Sequence, residues 1–403
     1  MYRVPRILTL ASILTIAACS PQQKHALPDL ARADSIVASA IEDQMIPGAV
    51  LLIAKDSEVV FHKAYGFAES SSEPPQLMTP EHIFDLASVT KVLATTLSVM
   101  VLVDEKRIDL DAPVKTYLPD FSGVSKDSIT VRHLLTHTSG LHQWKPIYYH
   151  AQNPAEARAY ISQLDLGFAV GEARHYSDLG FMLLGYIVEE VSGQPLDEFA
   201  KTRLYEPLGL IRTGFKPDID QPIAATSFGN PFEKKMVADD SFGYVCDEDP
   251  DSFIAWRTHV LRGEVNDGNS YYAHGGVAGH AGLFSTADEV ATLLALVRNS
   301  GSYRGKELIS PATVNIFLST TESGNGLGWA MNTGVLNAED LPVGSFGHSG
   351  FTGTYALSIP THDLEIVLLT NRQNFGVDSE GGYPSVSDLR RKVVEAVLTS
   401  YFE

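Results

Sequence analysis

The stretch Asp85-Leu86-Ala87-Ser88-Val89-Thr90-Lys91 reads as a nucleophile set at the start of a buried helix. A serine there has its backbone N–H among the unpaired donors of a first helical turn, where a developing oxyanion can be stabilised. Lys91, three residues on, falls on the same face within reach of the hydroxyl, and an amine whose pKa is depressed by burial can take the serine proton. Val92, Leu93, Leu97, Met100, Val101 and Val103 follow, apolar on too many faces for a surface helix, so the segment is expected to cross the interior. Ser-x-x-Lys occurs only here in the chain.

Other reactive side chains are less well placed. Cys246 stands in Cys246-Asp247-Glu248-Asp249, where neighbouring carboxylates raise a thiol pKa rather than lower it. Asp247, Asp249 and Asp251 have the opening spacing of a calcium loop, but Ser252 replaces the required glycine and Thr258 the required glutamate, leaving a solvated acidic loop. His274 and His280 flank Gly275 to Gly279 without a spaced carboxylate or thiolate, and no metal or other cofactor is expected. His133, His137 and His142 are taken as structural.

The elements that must position Ser88 follow from periodicity and punctuation. Ala31 to Asp43 has helical spacing, and Pro47-Gly48 stops it. Ala49 to Lys55 and Glu58 to Tyr65, joined by Asp56-Ser57, form a hairpin. From Thr79 to about Ser285 helices alternate with Pro and Gly breaks. These include a segment capped by Thr130, a helix over 179–191, and another from Gln194-Pro195 to Pro207-Leu208-Gly209. The stretch Gly214 to Tyr272 reads as loops. Thr286 and Glu289 form a capping box for a helix reaching Val297. Short strands then follow at 327–331, 345–349, 354–359 and 364–370, and a last helix places Leu389, Val393, Val394 and Val397 on the sheet. An α/β fold of α+β type results: an antiparallel sheet from 30–78 and 286–403, flanked by the terminal helices, with a mostly helical subdomain over 79–285.

The chain has 403 residues, 44% of them hydrophobic, and a formal net charge of -19, which excludes nucleic acid as a partner and adhesion to anionic lipid through a basic surface. Arg3 and Arg6 precede an apolar run from Ile7 to Ala18 that is too short to span a bilayer, as in a secretory signal. It ends Leu14-Thr15-Ile16-Ala17-Ala18-Cys19, which resembles the bacterial lipobox. Residues 1–18 would be removed, Cys19 lipidated, and 19–29 left as a tether. A lipoprotein on the periplasmic face of a membrane, the outer membrane first, is therefore expected, touching lipid only through that anchor. Cys246 would then be the sole thiol, so core burial must stabilise the domain without an internal disulfide. The oligomeric state is not legible.

Ser88-Val89-Thr90-Lys91, Tyr176-Ser177-Asp178 and His348-Ser349-Gly350, in that order, resemble the three active-site motifs of the penicillin-recognising serine hydrolases. The likeness is to the branch of class C β-lactamases, D-alanyl-D-alanine carboxypeptidases and related esterases. It implies a β-lactamase/transpeptidase-like fold and a two-step acyl-enzyme on Ser88, with Lys91 and Tyr176 exchanging the proton. Either of the two is the acceptor. It further implies an oxyanion hole from the N–H groups of Ser88 and Phe351, and substrate binding along His348, Ser349 and Gly350. Asp178 stands where β-lactamases of the branch carry Asn, and it favours the ammonium form of Lys91. His348 stands where they carry Lys and would make activity titrate near neutrality. Arg372 is a candidate partner for a substrate carboxylate, or else a solvated strand-end cation.

A small-molecule or peptide acyl substrate is implied. A carboxypeptidase or peptidase of cell-wall peptides ranks first, ahead of a carboxylesterase and a β-lactamase. A penicillin- or muropeptide-sensing protein is the non-enzyme alternative. The α/β-hydrolase class is excluded, because no serine has glycine two residues away on both sides.

Overall fold

A computed structural model describes residues 1–2, 29–244, 246–321, 324–331, 336 and 341–402. The signal segment and Cys19 lie outside the described residues. A seven-stranded antiparallel sheet forms the backbone of the fold. Its spatial order is Gln76–Leu77, Glu58–Glu69, Gly48–Lys55, Leu364–Thr370, Tyr355–Ile359, Phe346–Ser349 and Ala330–Met331. The first and last thirds of the chain thus share one sheet. They meet where Ala49 pairs with Thr370 and Lys55 with Leu364.

Local sequence explains the hairpin. Asp56 and Ser57 both adopt positive φ, 54° and 65°, the backbone a two-residue turn of the right twist demands. Alternation then sorts the side chains. Leu51, Ile53, Leu357 and Ile366 join Val37 and Val393 in one apolar cluster beneath the terminal helices Ala31–Glu42 and Ser387–Phe402. Val50, Leu52, Ala356 and Val367 enter the other, larger cluster with the helical region. Every residue from Gly48 to Ala54 is buried, as a central strand covered on both faces requires.

The apolar run after Ser88 lies inside that larger cluster. It is wound in three ways, a 3₁₀ turn Ala87–Val89, a π segment Lys91–Thr96 and an α-helix Leu97–Asp104. Ala87–Asp104 is apolar and long enough to cross a membrane, but 83% of it is buried within the protein, as a core helix would be.

Several boundaries differ from the periodicity reading. The first hairpin extends to Glu69, and the strands expected to begin at Leu327, Ser345 and Thr354 begin at Ala330, Phe346 and Tyr355. The capping box at Thr286 does not form. The Thr286 side chain makes no cap bond, and Glu289 instead accepts from Ile211 N (2.9 Å), Arg212 N (3.1 Å) and the Thr213 hydroxyl (2.6 Å), anchoring a distant loop. Within the supposed loops of 214–272 lies a helix, Pro231–Ala238, which the short apolar content of its sequence did not announce.

Candidate active site

Ser88 is delivered by a strand that stops abruptly. Phe84 and Asp85 pair with Ser285 and Phe284, and the buried Asp85 carboxylate then accepts from Ala87 N (2.9 Å) and Asn266 N (2.6 Å). Ala87 is forced to φ 47°, a left-handed conformation unfavourable for a residue with a Cβ. This sharp corner presents Ser88 to a cavity of about 190 Å³, which Tyr176, Asp178 and Phe351 also line.

Lys91 lies one turn on, fully buried, and its Nζ donates to Ser88 Oγ at 3.0 Å and to the His280 carbonyl at 3.1 Å. Its ammonium also pairs with Asp178 Oδ1 at 2.7 Å and lies 5.0 Å from the centre of the Tyr176 ring. Burial works against the charge, but Asp178 and the Tyr176 phenol outweigh it and hold the amine above the ordinary lysine value. Lys91 therefore rests as an ammonium. A base made by burial alone is not what the fold builds, and the Tyr176 oxygen is hydrogen-bonded to the same ammonium.

The Tyr176 segment is pinned by backbone bonds to the loop after the helix Val131–Leu135. His175 N donates to the His137 carbonyl (2.8 Å), Ser177 N to His137 Nδ1 (3.0 Å) and Asp178 N to the Gln143 carbonyl (2.9 Å). Ser177 Oγ also caps the helix Asp178–Ser192 by accepting from Gly180 N, a bond worth about 1 kcal/mol. His137 packs on Tyr176 with ring centres 4.5 Å apart. Burial, then the cations of Arg174 and Lys91, keep it neutral, the state in which Nδ1 can accept.

On the opposite wall, the strand Phe346–Ser349 ends in a tight turn. Thr352 Oγ1 donates to the Asp85 carbonyl (2.7 Å) and Thr354 Oγ1 to the Leu86 carbonyl (2.9 Å), so this turn is bolted to the corner that carries Ser88. Gly350 sits so close to Leu86 O and Thr354 Oγ1 that a Cβ would collide with both. Among the described hydrogen bonds, neither Ser88 N–H nor Phe351 N–H is spent on a protein acceptor, and the two amides border one cavity. The Ser349 carbonyl is engaged by His348, and Gly350 N donates to the Thr354 carbonyl at 2.7 Å.

Two expectations are corrected. His348 is buried, its Nδ1–H donates to the Ser349 carbonyl (2.7 Å), and burial followed by the Lys91 charge pushes its pKa down to about 3. The imidazole is neutral near neutral pH, so it sets no limb there. Arg372 is partly exposed, but its guanidinium is committed to backbone carbonyls. It donates twice to the Phe351 carbonyl (3.0 and 2.7 Å) and once to that of Pro384 (2.8 Å). Buried Arg390 adds bonds to the carbonyls of Gly350 (3.2 Å) and Thr354 (3.0 Å). The two guanidiniums hold the turn of Gly350 and Phe351 from behind.

Sequence reasoning missed several residues. Arg174, 5.7 Å from the Tyr176 ring, is a cation beside the strand of His348, with its Nε buried and unbonded. Glu233, from the unforeseen helix, and Asp267 line the cavity with His280. Only their acidity was visible, without the topology that gathers them. Burial followed by Glu248 raises the Cys246 thiol to about 11.

His274 and His280 share no metal geometry. His274 bonds the Tyr186 hydroxyl (2.6 Å) and the Asn269 carbonyl (2.7 Å), and His280 Nε2 pairs with Asp267 Oδ1 (2.9 Å). Asp178, Asp267 and His280 do bring ligand atoms within 4.8 Å of one another. The Lys91 ammonium already serves that group, through Asp178 and the His280 carbonyl.

A family model described as Beta-lactamase matches residues 33–389. The chain is 35% identical over 384 residues to an N-acetylmuramyl-L-alanine amidase of Bacillus subtilis (strain 168), covering 85% of this chain and 83% of that protein. It is 32% identical over 360 residues to a protein of Escherichia coli (strain K12) named as a candidate D-alanyl-D-alanine carboxypeptidase, covering 81% and 78%. A penicillin-binding protein homologue from Caulobacter crescentus superposes with a TM-score of 0.69 at 22% identity, over 94% of this chain and 99% of its own. A class C β-lactamase from Rhodobacter sphaeroides does so at 0.64 and 21%, over 92% and 99%. These two likenesses establish the same fold.

Proposed function

Because the chain belongs to the Beta-lactamase family of penicillin-recognising serine hydrolases, we propose that it hydrolyses amide bonds of cell-wall peptides as a D-alanyl-D-alanine carboxypeptidase-like enzyme. The carrying observation is the contact of Lys91 Nζ with Ser88 Oγ at 3.0 Å and Asp178 at 2.7 Å, beside Tyr176 and two unspent amides. Ser88 Oγ attacks the scissile carbonyl carbon and its proton passes through Tyr176 and Lys91 to the leaving amine as the C–N bond breaks. Water then attacks the ester and returns the proton to Ser88.

The amidase relative, at 35% identity, favours a second reading in which the cut falls at another amide of the same polymer. Signal cleavage, lipidation at Cys19 and residence on the periplasmic face of the outer membrane belong to this proposal as well, and loss of lipid labelling in Cys19→Ala is their test. For the activity, purified protein is given a pentapeptide ending in D-alanyl-D-alanine, a muropeptide, a p-nitrophenyl ester and nitrocefin, with products read by mass spectrometry. Release of D-alanine is expected, and its loss in Ser88→Ala. Cleavage of nitrocefin or ester alone would refute the peptidase assignment.

A further inference from the structure

Arg174 is a cation without a counter-ion. It is half-buried, its Nε is buried without a hydrogen bond, and among the described residues it forms no ion pair. The recess that it shares with Leu135, His137, Trp329 and His348 is lined, among the described residues, by no carboxylate. An unpaired guanidinium partly withdrawn from water carries a desolvation cost, which a fold tolerates where the charge is used. Its neighbour is Tyr176, whose ring centre lies 5.7 Å from the guanidinium carbon.

The other groups facing Tyr176 bring no net charge. Lys91 lies 5.0 Å from the ring centre, but Asp178 stands 2.7 Å from its Nζ and cancels it. His137, with ring centres 4.5 Å apart, and His348, at 6.1 Å, are both held neutral, in each case by burial first and then by cations that include Arg174. Burial, then Asp178 and Tyr176, keep the Tyr244 phenol neutral. Arg174 is therefore the one uncompensated positive charge among these groups. A net positive charge beside an acceptor lowers the pH at which that acceptor stands one proton short.

Resting on the reading of Ser88 as the nucleophile of an acyl-enzyme, we propose that Arg174 is a positioning residue for proton transfer, its uncompensated charge allowing the Lys91–Tyr176 pair to accept the Ser88 proton at a lower pH than the Lys91–Asp178 ion pair alone would allow. The proton leaves Oγ as that oxygen bonds to the substrate carbonyl carbon, and the pair delivers it to the leaving group. Whichever of the two is the acceptor, removing the cation makes it hold its own proton more tightly, so both alternatives give the same direction. At 5.7 Å and an effective dielectric constant of about 20, a unit charge moves a titration by about two units at most. With Arg174 half in water, about one unit is the working figure.

The test uses p-nitrophenyl acetate, which carries no carboxylate, and follows acylation from about pH 5 to 10. In Arg174→Met the climb should move about one unit to higher pH, a roughly tenfold loss of rate at a fixed pH on the climb. Arg174→Lys, which keeps the charge, should hold the climb in place. Arg174→Gln is measured alongside as a second neutral variant, with urea denaturation checking that each is folded. An unmoved profile in a folded neutral variant overturns the proposal. So does an equal loss at every pH that the lysine variant shares, the mark of lost packing, or a loss confined to peptides ending in a carboxylate, the mark of a substrate clamp. Ser88→Ala separates the two claims. Ester turnover that persists in it removes the acyl-enzyme and the proposal together, whereas its loss beside an unmoved Arg174→Met profile removes the proposal alone.

Discussion

Replacing Asp178 by asparagine keeps the shape of the site and removes the charge that holds Lys91 as an ammonium. At 2.7 Å and an effective dielectric constant of about 20, the lost attraction is about 6 kcal/mol, a ceiling of about four pH units on the lysine. Asp178 keeps 19% of its side chain in contact with water, so a drop of about two to three units is the working figure. With that carboxylate gone, burial opposes only the Tyr176 phenol, and the amine returns toward its ordinary value of 10.5. Lys91 then gives up its proton at a lower pH.

Acylation of Ser88 by p-nitrophenyl acetate, followed from about pH 5 to 10, should begin to climb at a pH about two units lower in Asp178→Asn than in the unaltered enzyme. The pH dependence of stability should change with it. In the unaltered protein the folded-state pKa of Lys91 is raised, so its contribution is fully present below the unfolded value and is lost only as pH climbs through the higher folded one. In the variant the folded and unfolded values draw together, and this contribution to the pH dependence of urea resistance should shrink. An unmoved rate profile would refute the view that Asp178 sets the protonation of Lys91.

The other predictions concern the shell around that pair. His348→Gln should leave the pH–rate profile unchanged between about pH 5 and 8, since the imidazole it replaces is already neutral there; a lost limb would show otherwise. Arg372→Ala and Arg390→Met, by freeing the carbonyls behind Phe351, should each lower kcat about ten- to a hundredfold with little change in KM, measured on an activated ester. Asp85 carries a carboxyl pushed up to about 6 by burial, so the fold loses stability as pH rises from the unfolded value toward that point. Asp85→Asn should flatten the slope in urea denaturation between about pH 4 and 6.

Much of the sheet was legible because its strands carry a period of two and its turns carry Asp56-Ser57, Pro360 and glycine, all local signals. The relation between Ser88 and Lys91 was legible because three residues of helical winding are also local. Arg372 was not: whether a strand-end guanidinium meets water or two backbone carbonyls depends on a turn 21 residues earlier. The neutrality of His348 was hidden for the same reason, being imposed by burial under segments distant in the chain. Glu233 escaped notice because Pro231–Ala238 is short and mixed in polarity, and its meaning arises only where that helix meets Asp267.

The threonine bonds from Thr352 and Thr354 to the carbonyls of Asp85 and Leu86 join positions 267 and 268 residues apart. A growing polypeptide therefore holds its hydroxyl long before it holds the second amide that makes the hydroxyl useful. Any partly opened form that parts those two segments should fall silent as a catalyst while most of its apolar interior is still intact, making turnover a more sensitive gauge of full assembly than compactness.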